Sequence, residues 1–352
     1  MTAGRPAGRA DAARCARHES PPVHTGDTIP GQARTRLYRR GVLETEGFPV
    51  TEIGDHLAQE GVTVWLDLHD PGTADLEVLT DEFGLHPLAV EDAVLRHERP
   101  KLDRYPDHLF LSAYAVHLDG TELVSSELAA FITPQALITV RKDHWFDVNA
   151  LVERWDDSPD LSVHGVGYLL HGLLDVVVDG HFAAVQSLDD QIEQLQEQLF
   201  AEDGAGIEVQ RRSFQLRKSL VLLRRVVLPM REVVNTLMRR DIHLLDEEMT
   251  HYFQDVYDHV LRATEWTESL RDLVTTILET RLTIQGNRLN EIMKKLTGWA
   301  AIIAIPTAIT GFYGQNIPYP GFGQAWGVVA SVVLIAAIGG GLYAMFRRRG
   351  WL

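Results

Sequence analysis

Residues 290–316, NEIMKKLTGWAAIIAIPTAITGFYGQN, decide how the rest of the chain is read. After Lys295 no Asp, Glu, Lys, Arg or His occurs until Arg347. Two apolar segments, 296–312 and 326–346, fill that interval and are separated by a short loop rich in Gly and Pro. A membrane helix needs roughly 17–25 residues, so the first segment is near the minimum and the second is comfortably long. Joined by so short a loop, the two form a hairpin through a bilayer with both ends on one side. Arg347-Arg348-Arg349 after the second segment and Lys294-Lys295 before the first place those ends in the cytoplasm. Two buried helices of a soluble protein fit poorly, because the uncharged run is too long.

The first span has a distinct face. Thr297, Ala300, Ala304, Thr307 and Gly311 recur every three or four residues and form one small, partly polar stripe, while Ile302, Ile303, Ile305 and Ile309 cover other sides. Small residues let helices approach closely, so a packing stripe and a narrow pore lined by hydroxyls are both open. Pro306 removes one backbone hydrogen bond, which membrane helices tolerate when neighbours compensate.

The chain of 352 residues is long enough for one substantial soluble domain plus this hairpin. Its formal charge of −16 lies beyond residue 40, since the first forty positions hold eight Arg against three acidic residues. Such acidity argues against nucleic acid as a partner, whose affinity rests on neutralising phosphates. It suits a domain that meets divalent cations. Cys15 is the one cysteine, which excludes a disulfide framework and a Cys-based zinc site. The fifteen histidines show no HExxH, and no nucleophile motif is present, so an enzyme is not expected. His243, His251 and His259 recur along helical sequence and read as surface residues.

Residues 1–36 are rich in Ala, Gly, Arg and Pro, lack the apolar core of a signal peptide, and read as a disordered cytoplasmic tail. Residues 37–245 read as a cytoplasmic α/β domain with a helical hairpin. Val62-Thr63-Val64-Trp65-Leu66-Asp67-Leu68 alternates as a strand does and stops at Asp70-Pro71-Gly72. Helices are expected over 74–83 and 86–93, and strands over 109–116, 127–132 and 136–141. After Asp147 the strands stop, and helical spacing takes over at 165–200 and 207–240. From Asp246 a third helix finds no breaker before the membrane, and Gly286 and Gly298 cost it only about 1 kcal/mol each. Residues 246–312 would span roughly 100 Å, with the membrane part at about 293–312. A stalk that joins a soluble domain to a pore needs that length. Residues 313–325 form the extracytoplasmic loop, 326–346 the second span and 347–352 a basic cytoplasmic C-terminus. Strands followed by helices make the class α+β.

The run Thr310-Gly311-Phe312-Tyr313-Gly314-Gln315-Asn316 resembles the signature of the CorA family of divalent-cation channels, where a Gly-Met-Asn triplet follows the first of two C-terminal spans. Asn290-x-x-Met293-Lys294-x-Leu296-Thr297 resembles that family's approach to the span, and Arg99-Pro100-Lys101-Leu102-Asp103-x-Tyr105 a phrase of its soluble domain. The resemblance runs from about Tyr38 onward. It implies a mixed sheet packed between helices, a funnel-shaped homopentamer in the inner or plasma membrane, and Mg²⁺ as regulatory and permeant ion, with Co²⁺, Ni²⁺ or Zn²⁺ as further candidates. Gln315 departs from the family's Met, and residues 317–324 lack the acidic residue that many relatives carry.

The resemblance also assigns sites. Gly314, Gln315 and Asn316 would form the selectivity filter. One carboxamide per subunit makes a neutral ring that holds hydrated Mg²⁺ by hydrogen bonds, since Mg²⁺ sheds water reluctantly. Glycine would let the chain turn sharply at the mouth. Asn290, Thr297, Ala304 and Thr307 would line the conduit, with Met293 and Leu296 as an apolar constriction that excludes water. Glu91, Asp92 and Asp255 resemble the family's regulatory cation sites between subunits, and Asp175 and Asp179, four apart on a helix, could join them. The expected function is potential-driven influx of Mg²⁺, Co²⁺ or Ni²⁺, gated by intracellular cation. A proton-coupled Zn²⁺ transporter of ZntB type and a non-conducting cation sensor are the alternatives.

Overall fold

The computed structural model describes residues 33–95, 99–199, 206–239, 246–315 and 318–351. Its sheet has seven strands: β1 (Ala33–Arg39), β2 (Val42–Glu46), β3 (Val62–His69), β4 (Lys101–Arg104), β5 (Leu109–Asp119), β6 (Glu122–Ile132) and β7 (Ala136–Arg141). They lie in the order β2-β1-β3-β7-β6-β5-β4. The central pair, β3 and β7, is parallel, and the other neighbours are antiparallel. All six residues of β7 are buried, as a strand covered on both faces requires. One polar knot is sealed between β3 and β7. Asp67, wholly buried, accepts from the Arg141 guanidinium at 2.6 Å and from the Thr139 hydroxyl at 2.7 Å. Paired and hydrogen-bonded, these charges escape the penalty of lone burial.

Helices cover both faces, which gives the mixed sheet between helices. The short helices α1 (Ile53–Leu57), α2 (Thr73–Asp81) and α3 (Pro87–Val94) pack on one face around Leu66, Phe110 and Phe131. On the other lie α4 (Val148–Asp156), α5 (Val166–Leu199), α6 (Gly206–Leu237) and α7 (Glu247–Tyr313), around Trp65, Trp155 and Phe253. The helix α8 (Ala325–Arg348) returns along the end of α7.

With 67 residues α7 is about 100 Å long. The Asp246 carboxylate caps it by accepting from the Met249 N–H at 2.8 Å. Its buried residues Met249, Phe253, Val256, Val260, Ala263, Thr267, Leu270, Val274 and Ile277 recur at helical spacing and pack between α5 and α6. Beyond Ile277 that sheath ends. Among the described residues three helices are long and apolar enough to cross a membrane. The apolar window of α5 is 61% buried inside the protein, against 6% for α7 and none for α8. Burial removes α5 from the candidates.

Some elements differ from the expectation. Residues 33–36, assigned to the tail, belong to β1, and β1 and β2 form a hairpin with a left-handed Arg40 (φ 49°) and Gly41 (φ 81°) at its turn. The β5–β6 hairpin is longer than the two strands expected there, because the polar ladder Ser125, Ser126 and His117 continues the pairing to a tight turn at Gly120. Of the stretch 201–206, expected as a break between helices, residues 201–205 lie outside the described residues, as does most of the tail, and Gly206 already belongs to α6.

Candidate functional site

The membrane end of α7 presents two opposed faces. Gly298 is buried, and Ala301, Ile302, Ile305, Pro306, Ile309 and Tyr313 are half-buried on the side of α8. Thr297, Ala300, Ala304, Thr307 and Gly311 are all exposed on the opposite side. Asn290, Met293 and Leu296 are exposed as well, below the start of the span. The Thr307 hydroxyl donates to the Ile303 carbonyl at 3.2 Å, and that of Thr310 to the Pro306 carbonyl at 2.7 Å. Each hydroxyl spends its proton on the helix, so its oxygen turns lone pairs outward. The stripe can therefore offer acceptors to water or a hydrated cation without any charge.

At the end of α7, Gly314 donates its N–H to the Thr310 carbonyl at 2.8 Å, and Gln315 donates to Phe312 at 3.3 Å. The expected role of glycine is corrected here. Gly314 has φ −83° and ψ −4°, an ordinary right-handed conformation that any residue adopts. What it supplies is space, because a Cβ would stand 3.1 Å from the Thr310 carbonyl oxygen. Asn316, the carboxamide expected in the filter, lies outside the described residues. The loop beyond is built from aromatic contacts: Tyr319 meets the Tyr313 ring at 5.0 Å and donates its hydroxyl to the Tyr313 carbonyl at 3.1 Å. Gly321 (φ 90°) brings the chain against the Trp326 ring and Gly327.

The second group is a set of carboxylates in the soluble part. Asp175 and Asp179 on α5 meet His259 on α7, and one ligand atom from each lies within 4.8 Å of the others. Asp255, one turn before His259, approaches its ring at 3.9 Å. Arg154 on α4 pairs with Asp175 at 3.0 Å and also with Asp179. Burial pushes the Asp175 carboxyl up, with Asp179 adding to the rise while Arg154, His171 and His259 pull it back, and burial pushes the His171 imidazole down. Two oxygens and an imidazole nitrogen suit Co²⁺, Ni²⁺ or Zn²⁺ better than Mg²⁺, which prefers oxygen alone.

Glu91 and Asp92 stand on α3, across the sheet from this group. Asp92 pairs with Lys101 at 2.7 Å, and Lys101 holds Asp103 at the same distance while lying over the Phe110 ring. Within one chain the structure thus joins Asp175, Asp179 and Asp255, and it does not bring Glu91 or Asp92 to them. Sequence reasoning missed His259 and Arg154. The first was legible as a ligand four residues after Asp255, on the same helix face. Arg154 reaches the cluster only because Trp155 packs α4 onto Gly172 of α5, which adjacency in sequence does not show.

A family model described as "CorA-like Mg2+ transporter protein" matches residues 60–348. The cobalt/magnesium transport protein CorA of Thermotoga maritima is 30% identical over 318 residues, covering 88% of this chain and 90% of that one. CorA of Methanocaldococcus jannaschii, also a cobalt/magnesium transport protein, is 27% identical over 298 residues, covering 82% and 91%. The complete structure of the magnesium transporter CorA from that organism superposes with a TM-score of 0.77 at 23% identity, over 92% of this chain and all of that one.

Proposed function

Since this chain belongs to the CorA family of divalent-cation transporters, we propose that it admits Mg²⁺, Co²⁺ or Ni²⁺ through a conduit made by the exposed face of α7 in a homopentamer. The observation that carries this reading is the uncharged stripe Thr297, Ala300, Ala304, Thr307 and Gly311, left wholly bare on the side away from α8. A ring of such faces passes a hydrated cation without binding it tightly. Gly314, Gln315 and Asn316 form the outer ring, where Gln315 adds a second carboxamide per subunit in place of the family's Met. Asn290, Met293 and Leu296 form the inner constriction, closed by dewetting. Both ends of the α7–α8 hairpin lie in the cytoplasm of a plasma or inner membrane. The membrane potential then drives entry with about 4.6 kcal/mol per divalent ion per 100 mV.

Regulation belongs to the carboxylates. Glu91 and Asp92 of one subunit face Asp175, Asp179 and Asp255 of the next, and an intracellular divalent ion between them holds the subunits in the closed ring. Without the ion the like charges repel and the ring loosens. One observation favours a second reading: the His259 nitrogen beside Asp175 and Asp179 fits Zn²⁺, as expected of a proton-coupled zinc transporter.

The test is metal flux into liposomes containing the purified protein, with and without a proton gradient, beside Asn316→Ala. Gradient-independent Mg²⁺ flux that Asn316→Ala abolishes supports the channel and its filter. Zn²⁺ flux that requires the gradient moves the assignment to the second reading. Folded oligomers that pass no metal would overturn both and leave a sensor.

A further inference from the structure

Lys101 is shared between two carboxylates on the face of the sheet that carries α3. Its ammonium lies 2.7 Å from Asp92 on α3, 2.7 Å from Asp103 on its own strand, and 5.2 Å from the centre of the Phe110 ring. The strand dictates this grouping. Lys101 and Asp103 are two apart on β4, so their side chains leave the same face. Asp103 stands opposite Phe110 of β5 in the register, which brings the fully buried ring beside the lysine. Above them α3 is seated by the buried Ala89, Val90 and Ala93 and capped by His86, whose ring nitrogen accepts from the Leu88 N–H at 3.2 Å. Asp92, in the second half of α3, is thereby held over β4.

Of these three charged groups the lysine is the one built to move. Asp92 rides on a seated helix and Asp103 on a paired strand, whereas an ammonium on a four-carbon stem turns easily and carries three donors. It can leave Asp92 and keep Asp103, and the face of Phe110 gives the charge a second hold. The pair is also open on one side. The Asp92 side chain is 31% exposed and that of Lys101 30%, so a hydrated ion can reach the Asp92 oxygens from solvent. While the ammonium sits there, it cancels the charge that would attract such an ion.

We infer that Lys101 is a tethered competitor of the divalent ion at Asp92, and that Asp103 is the carboxylate to which it retires. The inference rests on the reading that Asp92 holds the regulatory ion. With the ion absent, Lys101 neutralises Asp92, and capture of the ion hands the ammonium over to Asp103. Asp103 does not touch the ion, yet the stronger its hold on Lys101, the lower the ion concentration needed. The pair thus sets the intracellular level at which the ring closes.

Mg²⁺ protection from chymotrypsin tests this on the full chain in detergent, because none of the substitutions makes or removes an aromatic or leucine cleavage site. The half-protecting Mg²⁺ concentration should fall about two- to fivefold in Lys101→Gln, the scale of a partly exposed ion pair. It should rise by a similar factor in Asp103→Asn, where the lysine turns wholly to Asp92. The double variant should match Lys101→Gln, since Asp103 acts through the lysine alone. A rise in Lys101→Gln would mean that the lysine merely pins α3 in place, and would overturn the inference. So would a double variant displaced upward from Lys101→Gln by the full Asp103→Asn factor, which would make Asp103 a ligand or a distant charge. Should Lys101→Gln not fold, Asp103→Asn carries the test, and a midpoint unchanged there overturns the inference as well. Asp92→Asn separates the two levels. A raised midpoint in Asp92→Asn, with Lys101→Gln at the wild-type value, sinks the competitor and keeps the ligand. An unmoved midpoint in Asp92→Asn sinks the ligand reading, and the competitor with it.

Discussion

His181 should make this protein lose stability in mild acid, by an amount the structure sets. The imidazole on α5 is fully buried; its Nε2–H donates to the Tyr114 carbonyl of β5 at 2.7 Å, and its buried Nδ1 has no hydrogen-bond partner among the described residues. Burial pushes the pKa down from 6.5 to about 4, against the opposing pull of the Tyr114 hydrogen bond. The folded value lies below the unfolded one. The stability contributed by the neutral ring is therefore complete above pH 6.5 and is lost as pH falls from there through about 4. At about 1.4 kcal/mol per pH unit the window holds roughly 3 kcal/mol, of which roughly 2 kcal/mol is gone by pH 5. For a soluble part of this size that corresponds to roughly 4–8 °C in Tm. His181→Gln keeps an N–H for Tyr114 and removes the titration. Thermal unfolding of the full chain in detergent, followed by circular dichroism at pH 7 and pH 5, should show a fall in Tm that is larger for the wild type by that interval. Burial also lowers the pKa of His108 and of His171, so both proteins lose some stability, and the difference isolates His181. Parallel losses in the two would refute the reasoning.

Arg154→Gln releases Asp175 and Asp179 from their guanidinium, so the Mg²⁺ concentration that protects the protein from trypsin should fall roughly two- to fivefold, the scale of a partly exposed ion pair. A rise, or no change, would mean that Arg154 does not compete with the ion. Gly314→Ala adds a methyl group 3.1 Å from the Thr310 carbonyl oxygen and should cut flux severalfold while the oligomer persists on native gels. Flux at the wild-type level would show that the end of α7 has room to give.

The membrane hairpin and the stalk were legible because each rests on a single long-range property of the text. Uncharged sequence from Leu296 to Phe346 admits few solutions, and the lack of any breaker after Asp246 foretells α7. The strands β3 and β7 were legible from their apolar runs. The β1–β2 hairpin was not, since β1 carries Arg34, Arg36 and Arg39 within seven residues and β2 reads VLETE. Its polarity is resolved by ion pairs, Arg36 with Asp156 at 2.9 Å and Arg39 with Glu44 at 2.5 Å, and the first of these joins residues 120 positions apart. The same reason hid Arg154 from the carboxylate cluster. At Gly314 the residue was singled out for backbone freedom, and the physics is the crowding of a helix end, which only coordinates display.

The end of the sheath at Ile277 also fixes how force travels. Among the described residues every position from 278 to 293 is exposed or half-buried, so on the proposed channel reading movement begun at Asp255 would reach Met293 as tilt or torsion of one rod about 24 Å long. On that reading the stiffness of the rod limits how faithfully the soluble domain could command a pore. Gly286, whose missing Cβ would meet open space, is its most compliant point.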